Sequence, residues 1–419
     1  MILEIVDFVL IAVLLGVCLW GIYNMPILAT GIQDFRKNRQ KPRKHDFSNK
    51  PLPTFSIVVP VKNEETVIGR LLDALSKLNY PENKREIIII EDGSTDSTFD
   101  ICTRYAKAHA DVKILHRSLS NGKPSALNFG LAHAKGDLIA VFDADNVPDA
   151  DALIAACRYF DDPAVAAVQG KTVTINAKEN MLTQFISYEE AVWCEAFLRG
   201  KDVLNLFVHL KGSCQFIRRD ILEKLDGFSE AVLSEDMELS ARITENNYKI
   251  RYASDVVAWQ ESPSTLKTLF KQRTRWFRGT MEVAFKYGRL MVKPSRKNFD
   301  AETTLFGPFI LIASLIPYTA LFWALFTVLP FDFIWSIVVQ FATLTTTITM
   351  LVCGVALVYF TKPRTMKNIL WLPFVYAYWS SQAFIALYAA LLILLRRPKQ
   401  WTKTDKKGVV TDQMLSLNK

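Results

Sequence analysis

The closing third of the chain limits the possible folds most. Leu305 to Leu329, Phe333 to Phe360 and Ile369 to Leu395 are long apolar runs. Each is at least as long as the roughly 20 residues that cross a bilayer as a helix. Backbone in lipid must satisfy its own hydrogen bonds, so such runs admit helices and little else. A fourth run, Ile5 to Tyr23, follows Glu4, carries Asp7 near its start and lacks a basic leader or small-residue cleavage site. It reads as an uncleaved anchor. The basic stretch RKNRQKPRKHDFSNK, residues 36–50, then places the next domain in the cytoplasm and the N-terminus outside.

The expected division is therefore an anchor (1–30), a basic cytoplasmic linker (31–52), a cytoplasmic domain (53–264), amphipathic interface helices (265–300), C-terminal transmembrane helices (301–397) and a polar tail (398–419). The tail is too short for a regulatory domain. The closing runs pose a parity problem. Three crossings would leave the basic tail RRPKQWTKTDKK outside, against the positive-inside tendency. Either the tail breaks the tendency or one run re-enters or lies in the interface, with Pro308, Pro317 and Pro373 as the expected break points.

Half of the residues are hydrophobic and the net charge is +8, with much of the basic excess flanking the apolar runs. That favours an anionic lipid surface as partner over nucleic acid, which would call for basic residues interleaved with exposed aromatics on a soluble face. The six cysteines are scattered without C-x-x-C or Cys/His spacing, so neither a disulfide framework nor a zinc site is expected.

Between the anchor and the closing runs, apolar strand-like stretches alternate with helical ones. Phe55–Val59, Glu86–Ile90, Val112–Leu115 and Leu138–Phe142 read as strands of a parallel-rich α/β sheet. Val165–Val168 and Lys171–Ile175 read as two further strands, and Leu182–Arg199 as an amphipathic helix. Asp92, Asp143 and Asp145 then collect at the carboxyl edge, where open α/β sheets bind ligands. Asp143-Ala144-Asp145 suits a hard cation such as Mg²⁺ or Mn²⁺ that completes its shell with substrate phosphate. A helix cap would explain Asp92 equally well. Ser234-Glu235-Asp236 opens a helix and reads as an acidic cap or as part of a site. In KQRTRWFRGTMEVAFKYGRLM, residues 271–291, the cations and aromatics suit an interfacial helix with its charges outward. Alternatively, an arginine there neutralises a pyrophosphate and Trp276 offers a platform for a sugar ring.

Taken in order, these motifs resemble the membrane-integrated family 2 glycosyltransferases, the class holding cellulose, hyaluronan, chitin and poly-N-acetylglucosamine synthases. The resemblance rests on Val59-Pro60 with Asn63-Glu64, Glu91-Asp92-Gly93-Ser94, Asn121-Gly122-Lys123, Asp143-Ala144-Asp145, Gly212-Ser213, Glu235-Asp236 and Gln272-Arg273-Thr274-Arg275-Trp276. It covers about residues 53–280 and implies a GT-A nucleotide-sugar-binding domain joined to an α-helical transmembrane region.

By that resemblance Asp92 holds the uracil or ribose of a UDP-sugar, with Pro60 and Glu64 lining the same pocket. Lys123 and Asp143 lie by the nucleotide, and Asp145, with Asp143, carries the metal, Mg²⁺ or Mn²⁺. Arg275 steadies the leaving diphosphate, Asp236 is the general base, and Gln272, Trp276, Gly212 and Ser213 meet the acceptor. Inverting transfer needs only one such base, because the diphosphate leaves by charge neutralisation. Lys211 stands where cellulose-type enzymes often carry cysteine, and either favours an anionic acceptor or points to solvent.

The expected function is processive elongation of a β-linked polysaccharide from UDP-N-acetylglucosamine or UDP-glucose, with translocation across the cell membrane. The alternative is transfer of one sugar to a membrane lipid. Expected partners are the UDP-sugar, a growing polysaccharide or lipid acceptor, membrane lipids and an accessory membrane subunit, with no nucleic acid.

Overall fold

The computed structural model describes residues 2–38, 51–316, 333–360, 366–399 and 403–411. The chain folds as two units. Residues 40–190, 207–272 and 399–419 form the first, and residues 1–39, 191–206 and 273–398 the second.

The first unit is built on an eight-stranded sheet. Its strands are β1 (Phe55–Val61), β2 (Arg85–Asp92), β3 (Val112–Arg117), β4 (Leu138–Val141), β5 (Val147–Pro148), β6 (Val165–Thr174), β7 (Gln215–Arg218) and β8 (Lys249–Gln260). They lie in the order β3-β2-β1-β4-β7-β6-β8-β5. The first four are parallel, with Val58 opposite both Ile88 and Val141. The Ile and Val runs of β1, β2 and β4 are buried on both faces, as central parallel strands require. Phe216 meets Phe55 and Phe142 edge-on, at 6.2 and 5.9 Å between ring centroids, and fastens β7 to this core.

Beyond β4 the sheet becomes mixed. β7 runs antiparallel to both β4 and β6, and β8 is parallel to β6. The two strands expected around residues 165–175 are one strand, irregular at Gly170. There its partner β8 takes up extra residues, so that Gly170 faces Ala253 and Lys171 faces Val257. After β1, residues 64–67 form a turn in which the carbonyl of Glu64 accepts the amides of Val67 and Ile68, and a helix, Ile68–Ser76, follows.

In the second unit a long helix, Ile2–Asn38, packs with a π-helical turn (Trp193–Leu198) and its α-helical continuation (Arg199–Val203). Their shared interior is polar at one point. The buried Lys201 ammonium lies 2.8 Å from Asp300 Oδ2 and donates to Thr304 Oγ1, while the Tyr23 hydroxyl donates to Asp300 Oδ1. Three described helices are long and apolar enough to cross a membrane: Phe8–Asn38, Gln340–Leu357 and Asn368–Leu394.

The run that begins at Leu305 is interrupted at once. One helix ends at Leu305 and a second, Gly307–Ala313, starts with Pro308 in its first turn. Pro317 and the rest of that run lie outside the described residues. Pro373 breaks nothing, since it sits in the first turn of Leu372–Leu394 behind a 3₁₀ turn.

The helix Leu266–Tyr287 carries the basic–aromatic stretch. Phe270, Trp276 and Phe285 are exposed, but the charges do not all point outward. Arg278 is buried, ion-paired to Glu282 and donating to the carbonyls of Arg397 and Pro398.

Candidate active site

The parallel half of the sheet delivers its loops side by side. β1 and β2 are in register up to Val61 opposite Glu91, so the turns after them interlock. Asn63, held at φ +53°, accepts the Thr95 amide on its side-chain oxygen and donates its own amide to Ser94 Oγ. The Glu64 amide bonds Thr98 Oγ1 at 2.7 Å. Glu64 thereby projects beside the sheet edge. One of its carboxyl oxygens is 3.1 Å from Lys403 Nζ, and the other is buried without a hydrogen-bond partner among the described residues. Burial pushes this carboxyl up to about 7 against the opposing pull of Lys403. Asp92, the last residue of β2, is buried. It accepts the Ser120 hydroxyl on one oxygen and faces Arg117 Nε at 3.2 Å with the other.

β4 ends at Val141 and releases Asp143 and Asp145 into two different surroundings. Asp143 is partly exposed, with Lys123 Nζ 2.7 Å from its carboxylate and its amide donating to Ser213 Oγ. Asp145 is buried, accepting the Glu261 amide at 3.0 Å and lying 2.7 Å from Lys406 Nζ. Burial alone would raise its pKa. Lys406, the Glu261 amide and Arg70 outweigh that and hold it below the ordinary aspartate range.

Lys123 begins a helix behind Gly122 and reaches three groups: Asp143, the Gly212 carbonyl at 2.9 Å and Glu235 at 3.5 Å. Burial works against its charge, but Asp143 and Glu235 more than compensate and raise it above the ordinary lysine value.

Gly212 is the meeting point of the loops. It adopts φ +80°, and a Cβ there would come within 3.2 Å of Asp236 Oδ2 and 3.3 Å of Lys123 Nζ. Glycine at this φ lets the 211–214 segment pass between the Asp236 carboxylate and the Lys123 ammonium. That segment is held from behind by two buried glutamines. Gln169 accepts the Lys211 amide and donates to the carbonyls of Gly170, Ser213 and Cys214, and Gln215 accepts the Gly212 amide. Asp236 itself lies in the first turn of Glu235–Glu245, where Ser234 holds the N-cap position without a side-chain capping bond. Lys211 neither faces solvent nor stands free for an anion. Its ammonium donates to Thr172 and lies 3.5 Å from Glu190, which also accepts from Thr172, Thr174 and Gln260.

The first unit thus brings together Pro60, Glu64, Asp92, Lys123, Asp143, Asp145, Gly212, Ser213 and Asp236 along one edge of its sheet. Gln272 is its last residue before the helix passes into the second unit, to which Arg275 and Trp276 belong. There the Arg273 guanidinium covers the Trp276 ring at 4.6 Å. Sequence reasoning missed Gln169, Gln215, Arg70, Glu261 and Lys406. The only signal for Lys406 was a lysine-rich tail, which has a generic reading as a topology marker.

The donors available for a metal are hard carboxylate oxygens. Among the described residues no three His, Cys, Asp or Glu side chains converge on one point. Asp143 and Asp145 offer oxygen donors of the type that hard divalent cations such as Mg²⁺ or Mn²⁺ take, the remaining ligands coming from phosphate and water.

This sheet and its edge define a nucleotide-sugar transferase of the GT-A class. Residues 53–279 match the family model described as glycosyltransferase like family 2, and the chain belongs to that family. A probable glycosyltransferase of Bacillus subtilis, YdaM, is 34% identical over 72% of this chain and 73% of its own length. A beta-monoglucosyldiacylglycerol synthase of Nostoc is 34% identical over 64% of this chain and 58% of its own length. A poly-beta-1,6-N-acetyl-D-glucosamine synthase of Staphylococcus epidermidis is 30% identical over 55% of each. The last two alignments thus span little more than half of those relatives. In fold, the chain is similar to the mannosyltransferase PcManGT of Pyrobaculum calidifontis, solved with GDP-Man and Mn²⁺. The TM-score is 0.57 at 20% identity, covering 93% of this chain and 100% of the other.

Proposed function

We propose that this glycosyltransferase moves a hexose from a UDP-sugar, with inversion, onto the hydroxyl of an acceptor presented at a membrane. The observation that carries the reading is the packing of Asp236, Lys123 and Asp143 around Gly212 and Ser213. The Asp236 carboxylate and the Lys123–Asp143 ion pair both lie beside one glycine, which supports reading them as a base and a charge-neutralising pair.

In this scheme Asp92, Pro60 and Glu64 receive the nucleoside. The buried oxygens of Asp92 and Glu64 are acceptors suited to the base N–H and the ribose hydroxyls. Asp143 and Asp145 would hold the divalent cation, which supplies charge neutralisation for the departing diphosphate. Lys123 adds positive charge beside it, and Arg275 is assigned the same task. Asp236 takes the acceptor's hydroxyl proton as that oxygen bonds the anomeric carbon, and the bond to the diphosphate breaks with its electron pair leaving on UDP. Contact with the acceptor is assigned to Gly212, Ser213 and Gln272 of the first unit, and to Trp276 by its place in the Gln272–Trp276 motif.

We favour a membrane lipid as the acceptor. The alignment with the diacylglycerol glucosyltransferase is the longer of the two, 273 residues against 234 for the polymer synthase, and at higher identity. Polymer elongation is the second reading, supported by the Staphylococcus relative.

The parity of the closing runs bears on the same reading. The described tail, residues 403–411, folds against the sheet unit, so both lie on one side of any membrane. The chain between Gln272 and Lys399 therefore crosses an even number of times. The run broken at Phe306 is the one we assign to the interface. The catalytic unit and the tail are then both cytoplasmic, which satisfies the positive-inside tendency.

The test is incubation of the protein in nanodiscs containing diacylglycerol with radiolabelled UDP-glucose or UDP-N-acetylglucosamine and Mn²⁺ or Mg²⁺. One organic-soluble labelled product is expected. High-molecular-weight label instead would establish elongation, and no label from any donor would remove both readings.

A further inference from the structure

The tail described from Lys403 to Thr411 lies along the donor edge of the catalytic unit, fixed at successive points. Lys403 pairs with Glu64 and donates to the Asn63 carbonyl. Lys406 lies 2.7 Å from Asp145 Oδ2 and donates to the Glu261 carbonyl at 2.5 Å. The next two amides, of Lys407 and Gly408, are taken one each by the carboxylate oxygens of Glu261, at 2.7 and 2.9 Å. At Thr411 the segment is tied down again, its amide on the Ile175 carbonyl and its hydroxyl accepting the Lys178 amide.

The fit is specific to this sequence. Gly408 adopts φ +76°, and a Cβ there would be 2.8 Å from the Thr66 carbonyl oxygen. Glu261 is itself buried, so its carboxylate depends on those two amides and on Arg70, 3.9 Å away, for compensation. This is a built binding site whose occupant is the chain's own tail.

The position of Lys406 says what the occupant does. Its ammonium rests on the same carboxylate that the Asp143-Ala144-Asp145 turn offers to a cation. Asp145 Oδ2 already takes both the Lys406 ammonium and the Glu261 amide, so a divalent ion arriving at that oxygen must displace the ammonium, whose charge it also repels. We infer that the segment 403–411 is an internal plug of the donor site, in which Lys406 holds the seat of the divalent cation and Glu261 latches the plug. Metal and nucleotide displace it. Metal affinity is then set partly by the plug, since binding to a site open only a fraction of the time is weakened by that fraction. The inference rests on Asp145 being a metal ligand, as proposed above.

The experiment is Mn²⁺ titration of the full chain in nanodiscs without nucleotide, tracked by electron paramagnetic resonance of the free ion. Wild type is compared with Lys406→Met, Glu261→Gln, Gly408→Ala and Asp145→Asn. Hydrogen exchange across residues 403–411 is recorded with and without Mn²⁺ and UDP. Lys406→Met, which keeps the stem and removes the charge, is expected to bind Mn²⁺ about tenfold more tightly. Gly408→Ala is expected to move the same way with Lys406 intact, a result that loss of the lysine charge alone cannot mimic. The amides of Lys407 and Gly408 should be protected in the metal-free protein and exchange faster with Mn²⁺ and UDP.

Equal or weaker Mn²⁺ binding by Lys406→Met, with Asp145→Asn abolishing binding, overturns the plug and leaves the metal reading standing. Unchanged exchange at 407 and 408 on adding Mn²⁺ and UDP also overturns it. No Mn²⁺ binding by wild type and Lys406→Met alike removes both.

Discussion

Along the parallel half of the sheet, β3-β2-β1-β4, the functional side chains sit at the end of a strand or just past it, and their loops hold one another. Across the mixed half the working segment is the irregular loop 211–214, held from below by polar side chains inside the strands, Gln169 of β6 and Gln215 of β7. The side proposed for the donor is thus assembled from strand ends. The side proposed for the acceptor is assembled from a buried hydrogen-bond network. Strand ends tolerate change in the residues behind them, whereas a buried network fails when one member is removed, because its partners are left unsatisfied.

The sharpest way to break the comparison is at the point where the halves meet. Asp236→Asn should lower transfer by about 10²–10⁴-fold while UDP and Mn²⁺ binding persist, a split read by steady-state kinetics beside calorimetry. If binding falls in parallel, Asp236 belongs to the donor side instead. Gly212→Ala should cost about 10²-fold, because the new Cβ pushes Asp236 and Lys123 apart by a fraction of an ångström. The expected signature is a fall in kcat far larger than the modest drop in melting temperature that a side chain at φ +80° brings.

Gln169→Leu probes the network alone. It strands the Lys211 amide and three carbonyls, and should destabilise the fold by about 1–3 kcal/mol and raise the acceptor KM more than the donor KM. An equal rise in both would erase the distinction between the halves.

The smallest effect concerns Glu64. Burial, only partly opposed by Lys403, lifts its carboxyl to about 7, so between about 4.5 and 7 the folded protein keeps a proton that the unfolded chain has lost. Stability from this group is present at the acid end and is lost as pH rises across that window. Glu64→Gln should flatten the slope of melting temperature between pH 5 and 7.5, and an unchanged slope would assign it to other groups.

The same division explains what could be read from the sequence. β1, β2 and β4 are short runs of Ile, Val and Leu, and the acidic residues behind them stand out because a strand end is a defined place. β7 is four residues inside a polar loop, and β8, KIRYASDVVAWQ, carries Asp255 and a register shift that conceal its alternation. Gln169 has no local meaning at all. It becomes a support for the acceptor-side loop only once β6 and β7 are paired. Lys211, open to two readings in the sequence, has a third in the fold, as the partner of Glu190 and Thr172 across the sheet. Arg278 behaves likewise. Its charge suited a solvated face, but it is spent on carbonyls of the segment just after the last apolar helix.

The docked tail also has a consequence for the order in which this protein is made. Residues 403–411 emerge from the ribosome after every apolar run, and must return to a domain whose strands were synthesised long before. In the topology proposed above, the contacts with Asp145, Glu261 and Ile175 are acquired only after the last helix has been threaded and the chain has come back to its starting side. A nascent or misinserted chain carries the donor edge uncovered and Glu261 unlatched. Protection of residues 407 and 408 against proteases is then a readout of completed insertion, available before any sugar is transferred.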